Sequence, residues 1–304
     1  MIGLQSRANG ELGSSVGSAT EAGTISFGTG LLAAILLAAV QPRIRVGLRR
    51  IRAAVRDGRL PSWQLFAGFL GGWFTVVQSY STPLVGVAAF SVGMIAGQTA
   101  MSVVVDRLGI RTGVRHHVNP RRIATAVITV LAVLVSGADR LDLGSGELLP
   151  LIAAVVIGAV VAFHRALNAH INDYAQESLA TSLLNFATGF AMLLVIDAIG
   201  VVSGTTTLQV PEGPWWMFTG GVIGFAYIAM AAVGVQRIGV LMFTALSVAG
   251  QLLGSLALDL LVPSSGITVG PNIYAGVALS MLGILVGVAR PRGRASVGTN
   301  NEEM

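Results

Sequence analysis

The 304-residue chain is 53% hydrophobic and only 11% charged, whereas about a quarter of the residues in soluble domains carry charge, so it has too few charges to clothe a soluble surface. Its net charge of +5 rests entirely on arginines clustered in short connections between apolar blocks, a pattern that fits a membrane surface and argues against nucleic acid. With no cysteine, and 4 histidines in no ligand-like spacing, the chain offers no disulfide, no metal site and no sign of a cofactor.

Residues 1–24 lack a charged segment leading into an apolar core, so no cleavable signal peptide is expected. Apolar blocks between breakers then predict spans at 21–40, 63–78, 83–105, 123–136, 148–168, 178–202, 215–235, 238–261 and 272–288. The span at 123–136 is short and is expected to extend back over Pro120 and Arg121. The connection 41–62 carries Arg43, Arg45, Arg49, Arg50, Arg52, Arg56 and Arg59, and 106–122 carries Arg107, Arg111, Arg115, Arg121 and Arg122. Both are expected in the cytoplasm, as is the tail with Arg290, Arg292 and Arg294, while the arginine-free connections 203–214 and 262–271 fall outside.

The chain repeats itself. Gln5, Asn9, Phe27 and Gly30 align at one constant offset on His164, Asn168, Phe186 and Gly189. A second block pairs Trp63/Trp216, Gly68/Gly221, Gly71/Gly224, Gly86/Gly239, Phe90/Phe243, Gly97/Gly250, Gln98/Gln251 and Asp106/Asp259. Five spans per copy is an odd number, so the second copy enters the bilayer the other way up, and the arginine-rich connections of the first copy have arginine-free counterparts in the second. The expected architecture is therefore an all-α polytopic membrane protein of two inverted five-helix repeats, at 1–138 and 148–290, with a cytoplasmic tail at 291–304. An apolar helix precedes His164, but only Met1 to Leu4 precede Gln5, so the first helix of the first repeat is expected to be largely missing, with a true start upstream.

The residues Gln5, Asn9, Ser26, Phe27 and Gly30, followed by Pro83, Gly86, Phe90, Gly97-Gln98-Thr99 and Asp106-Arg107-Leu108-Gly109, resemble the five-helix YdcZ-type domain of the drug/metabolite transporter superfamily, here as a tandem fusion. The resemblance implies a bacterial inner-membrane protein that exports a small metabolite or drug-like compound. The second copy departs from the pattern at its end, reading Asp259-Leu260-Leu261-Val262. Small multidrug-resistance relatives couple to protons through a carboxylate deep in their first helix, and 148–168 has no such group.

Polar side chains at mid-span need a partner or water. Gln98 and Gln251 are expected to meet at one central cavity and bind solute, with Asn168 and Asn185 lining it and Phe27 and Phe186 packing on an apolar ligand; interhelical bonding is the plain alternative. Asp106 and Asp259, near equivalent helix ends, and Asp197, inside an apolar run, are candidates for gating or proton coupling. His164 and Arg165 are expected to anchor their helix at the cytoplasmic interface. No metalloprotease motif, paired carboxylates or nucleophile-base pair marks the chain as an enzyme. The expected function is alternating-access transport, with a small solute, the bilayer and protons as a candidate coupling ion for partners and one chain sufficing; a receptor or scaffold, or an intramembrane enzyme, is the alternative.

Overall fold

The computed structural model describes residues 1–108, 120–138, 148–238, 240–262 and 269–288. Every regular element among them is helical: α1 (Ile2–Val16), α2 (Ala19–Val40), α3 (Pro42–Arg56), α4 (Gly68–Leu108), α5 (Pro120–Ser136), α6 (Leu148–Ala175), α7 (Ser178–Val202), α8 (Gly220–Ile238), α9 (Val240–Leu261) and α10 (Pro271–Val288). Short 3-10 turns at Ser62–Ala67 and Trp215–Thr219 lead into α4 and α8. Helix α2, the stretch Ser62–Ser102, α6 and α7 are each long and apolar enough to cross a bilayer, and shorter apolar helices accompany them. Leu32, Leu36, Val195 and Ile199 lie exposed on the outside of the bundle, the surface that a lipid-embedded protein presents to hydrocarbon.

Helix boundaries follow local chemistry. Gly17, at φ 65°, ends α1 in the left-handed conformation, and Ser18 then caps α2 by accepting the Glu21 amide. The matching turn of the second copy uses Gln176, at φ 54°, and Glu177, whose side chain accepts the Leu179 amide. In α3, Ile44, Gly47, Ile51 and Ala54 fall on one buried face while arginines take the other, and Pro42 supplies a preset first turn. This helix lies inside the connection read from sequence as an arginine-rich loop. It packs on the α6–α7 end of the bundle, where Ile51 and Ala54 join Leu167, Ile171 and Ala175.

Two predicted spans prove to be the arms of one hairpin. Gly86 breaks α4 with φ 84° and ψ 162°, a conformation closed to side chains with a Cβ. Gly71 on the first arm stands beside His164, and Gln98 on the second bonds Arg165, so both arms return to the same level of α6. The carboxylate of Asp259 accepts the exposed amides of Val87 at 3.0 Å and Ala88 at 2.7 Å, capping the second arm from the other repeat.

The two copies meet through exchangeable contacts. The Phe27 and Phe186 rings lie 5.0 Å apart. A Cβ on Gly189 would collide with the Phe27 ring, and one on Gly30 with the Phe186 ring. Likewise Gly68 leaves no room for a Cβ beside the Asn185 carbonyl, nor Gly221 beside that of Ser26. Glycine at these mated positions lets backbones approach to the distance that close helix packing in a bilayer requires. The outer pair, α5 and α10, uses the same device: Gly276, Gly283 and Gly287 face Ser136, Thr129 and Thr125, and Thr125 Oγ1 donates to the Gly283 carbonyl at 3.0 Å.

Candidate functional site

A cavity of about 390 Å³ lies between the repeats, lined by α1, α2, both arms of α4, α6, α7 and α8. Its lining mixes apolar side chains, Phe27, Phe74, Met94, Val161, Phe186 and Ile228, with polar ones. Of the latter, His164, Arg165, Asn168 and Asn172 come from α6, one helical face at spacings of three and four residues. Asn185 and Ser182 from α7, Gln98 from α4 and Tyr227 from α8 complete it.

The polar groups on α6 and α7 form a closed set. Asn185 Nδ2 donates to Asn168 Oδ1 at 2.7 Å, and Asn168 Nδ2 donates to His164 Nε2 at 2.9 Å. To accept from Asn168, Nε2 must be unprotonated, whereas its 3.3 Å approach to Asn185 Oδ1 is a hydrogen bond only with a proton on Nε2, so the two contacts operate as alternatives. Beside this set Arg165 Nη1 donates to Gln98 Oε1 at 2.8 Å, while Gln98 Nε2 is buried without a hydrogen-bond partner. Arg165 is an exposed residue of α6, and its surface opens onto this cavity.

Five of the six residues expected to bind solute, Gln98, Asn168, Asn185, Phe27 and Phe186, line this cavity. The sixth, Gln251, is buried on α9 away from the lining, with its Nε2 unpartnered, so the two mated glutamines occupy different environments. Sequence reasoning gave His164 and Arg165 an interfacial role because it ended their helix at residue 168; α6 continues to Ala175 and carries both into the cavity. The available signal was the helical spacing of His164 to Asn168, read together with the match of His164 to Gln5, another lining residue. Asn9, the mate of Asn168, is committed elsewhere: its Nδ2 donates to Gln78 Oε1 at 2.6 Å, and Gln78 donates on to Ser6.

The three acidic candidates separate. Asp259 is fully engaged at the Gly86 break. Asp106 lies in the last turns of α4, and its side chain, like Gly239, the mate of Gly86, lies outside the described residues. Asp197 is buried on α7 and accepts a 2.5 Å hydrogen bond from Thr24 of the other repeat, with its Oδ1 unpartnered.

The cavity extends unequally toward the two ends of the bundle. Toward the α6–α7 turn it runs past Asn172, Ser178, Thr181 and Ser182, beside the arginine-rich α3. The mated positions at the opposite end are Gly13, Ala19, Ala22 and Gly23. There Leu12, Val16 and Ala22 pack on Met217, and the connection 203–214 is tied down: Ser15 Oγ donates to the Glu212 carbonyl at 2.7 Å, and Gln209 N donates to Glu21 Oε1 at 3.2 Å. A second cavity of about 230 Å³, between α4, α5 and α6, is lined wholly by Ala, Val, Leu, Ile and Gly and contains no group that could select a ligand.

The family model described as "Putative inner membrane exporter, YdcZ" matches residues 1–135 and again 149–286. The chain belongs to that family, as two copies in tandem. No curated protein and no solved structure matches it.

Proposed function

We propose that this member of the YdcZ exporter family moves a small solute across the inner membrane by alternating access, with the cavity between its repeats as the solute site. The observation that carries the reading is the pairing of mated turns in opposite states. Near the α6–α7 turn Asn172, Ser178, Thr181 and Ser182 line the cavity, while their mates Gly13, Ala19, Ala22 and Gly23 do not, and the α1–α2 turn is bonded to 203–214. Exchanging the conformations of two inverted repeats opens the second end and closes the first.

Arginines of α3 orient the α6–α7 end toward the cytoplasm. On this reading the state is inward-facing, the one in which an exporter would load solute. Asp197 with Thr24 sits at the α1–α2 end and suits a gate between the repeats, with protons as the candidate coupling ion. Both halves of the site come from one chain, so a monomer suffices. Transport needs binding and movement but no bond chemistry, which agrees with a cavity lined by amides and aromatics.

The absence of native cysteine makes the test direct. An Asn168→Cys variant is exposed in oriented vesicles to a membrane-impermeant maleimide from each face. Labelling from both faces is expected, and cross-linking Ser15→Cys to Glu212→Cys should abolish only the labelling from outside. Labelling from neither face, or from one face regardless of the cross-link, would remove alternating access and favour a receptor or scaffold.

A further inference from the structure

The lining of the cavity is electrically one-sided. Arg165 and His164 face it, with amides, hydroxyls and aromatic rings, and no carboxylate is among the described lining residues. Among the described residues Arg165 makes one hydrogen bond, to Gln98 Oε1, and no ion pair. Arg7 in the first repeat instead pairs with Glu11 at 3.5 Å, so the chain does neutralise an arginine of α1 internally. At the offset that pairs Asn168 with Asn9, Arg165 matches Ser6, a buried hydroxyl bonded to Gln78. The cation is therefore no relic of the repeat but belongs to one copy and to the cavity.

A guanidinium held inside a membrane protein without a counter-charge is costly, and such groups face a wet cavity and serve a function. It has five N–H donors in a planar fork, of which one is used here, and that fork matches the two oxygens of a carboxylate or phosphate. The same cavity is lined by Phe27, Phe74, Phe186 and Met94, apolar surface for an organic body, in a volume that suits a small organic molecule.

We infer that the solute is a small organic anion, its charged group seated on Arg165 and its apolar body against the phenylalanines. This rests on the transport reading above and names the chemical class its site accepts. A cationic drug-like solute would meet Arg165 with no carboxylate to offset the repulsion.

The test uses the purified full chain and three probes of one shape: benzoate, benzyl alcohol and benzylammonium. Titration calorimetry should show benzoate binding at least ten times more tightly than either other probe. Arg165→Gln should lose that preference and Arg165→Lys keep part of it. Should Arg165→Gln fail to fold, Gln98→Glu gives the second reading, because a carboxylate beside Arg165 neutralises it from within; benzoate affinity should fall at least tenfold while the protein melts no earlier than the native chain. Tighter binding of benzylammonium or benzyl alcohol, no benzoate binding at millimolar concentration, or unchanged benzoate affinity in Gln98→Glu each overturns the inference. If Asn168→Cys labels from both faces and the anion preference is absent, transport stands and this assignment falls.

Discussion

Asp259, at the end of α9, holds the backbone of Val87 by accepting its amide at 3.0 Å, so the carboxylate of one repeat caps a helix of the other. The bond exists because Gly86 interrupts α4 and strands the first amides of its second arm in a buried setting, where Val85 and Val87 are both fully covered. Asp259 and Gly86 are thus one device that lets the chain reverse without a surface loop.

Asp259→Ala should lower the melting temperature in detergent by an amount corresponding to about 1–3 kcal/mol, the cost of leaving buried donors unsatisfied. Asp259→Asn should do much of the same damage, because its amide group turns a donor toward donors. A gating role alone would leave the melting temperature unchanged.

Gly86→Ala places a Cβ on a backbone at φ 84° and ψ 162° and should cost about 1–3 kcal/mol. Thermal unfolding beside Gly58→Ala is the check. Gly58 is also left-handed, at φ 69°, but faces open space, so its variant should show a smaller loss.

The reciprocal ring contacts predict coupling between repeats. Gly30→Ala pushes a methyl into Phe186, and Gly189→Ala pushes one into Phe27. Each should destabilise by about 1–3 kcal/mol through overpacking. Phe186→Leu should recover part of the Gly30→Ala loss and none of the Gly189→Ala loss, read from a double-mutant cycle. Rescue remains partial because the Gly221 carbonyl also crowds the Gly30 site.

Mated asparagines should behave differently. Asn9→Ala breaks the buried Ser6–Gln78–Asn9 chain and should reduce stability by about 1–3 kcal/mol. Asn168→Ala opens onto a cavity where water can replace the lost amide, so its effect should fall on solute affinity with a smaller change in melting temperature. Equal thermal losses in the two variants would contradict this assignment.

At the α1–α2 end, Asp197→Ala removes the 2.5 Å bond that Thr24 donates across the repeat boundary. A Met217→Cys reporter, buried in the native chain, should then react faster with an impermeant maleimide from outside. An unchanged rate would mean that Asp197 does not hold the gate.

How far the sequence carried this description can be judged from particular residues. Phe27 and Phe186 were legible as a pair because the repeat is gapless around them, and Asn168 and Asn185 because polar groups inside apolar runs must be answered. Helix α3 was not, since its arginines suggested a solvated loop and its apolar face matters only against Ile171 and Ala175. The separation of Gln98 from Gln251 was equally hidden: both are mid-span glutamines after a glycine, yet Gly97 is pressed against the Val155 carbonyl and Gly250 meets nothing.

By itself the sequence determined that this chain lives in a bilayer, where its long apolar helices fall and that its residue pattern repeats, because hydrophobic length and internal repetition are properties of residues in order. Only the tertiary structure decided which copy of each pair faces the cavity. Two mated residues share a helix position but not a neighbour, and neighbours are fixed by small residues that let particular helices touch. Thus Asp259 became a cap, Asn9 a packing group, and Arg165, matched in the other copy by a serine, the charged residue of the cavity.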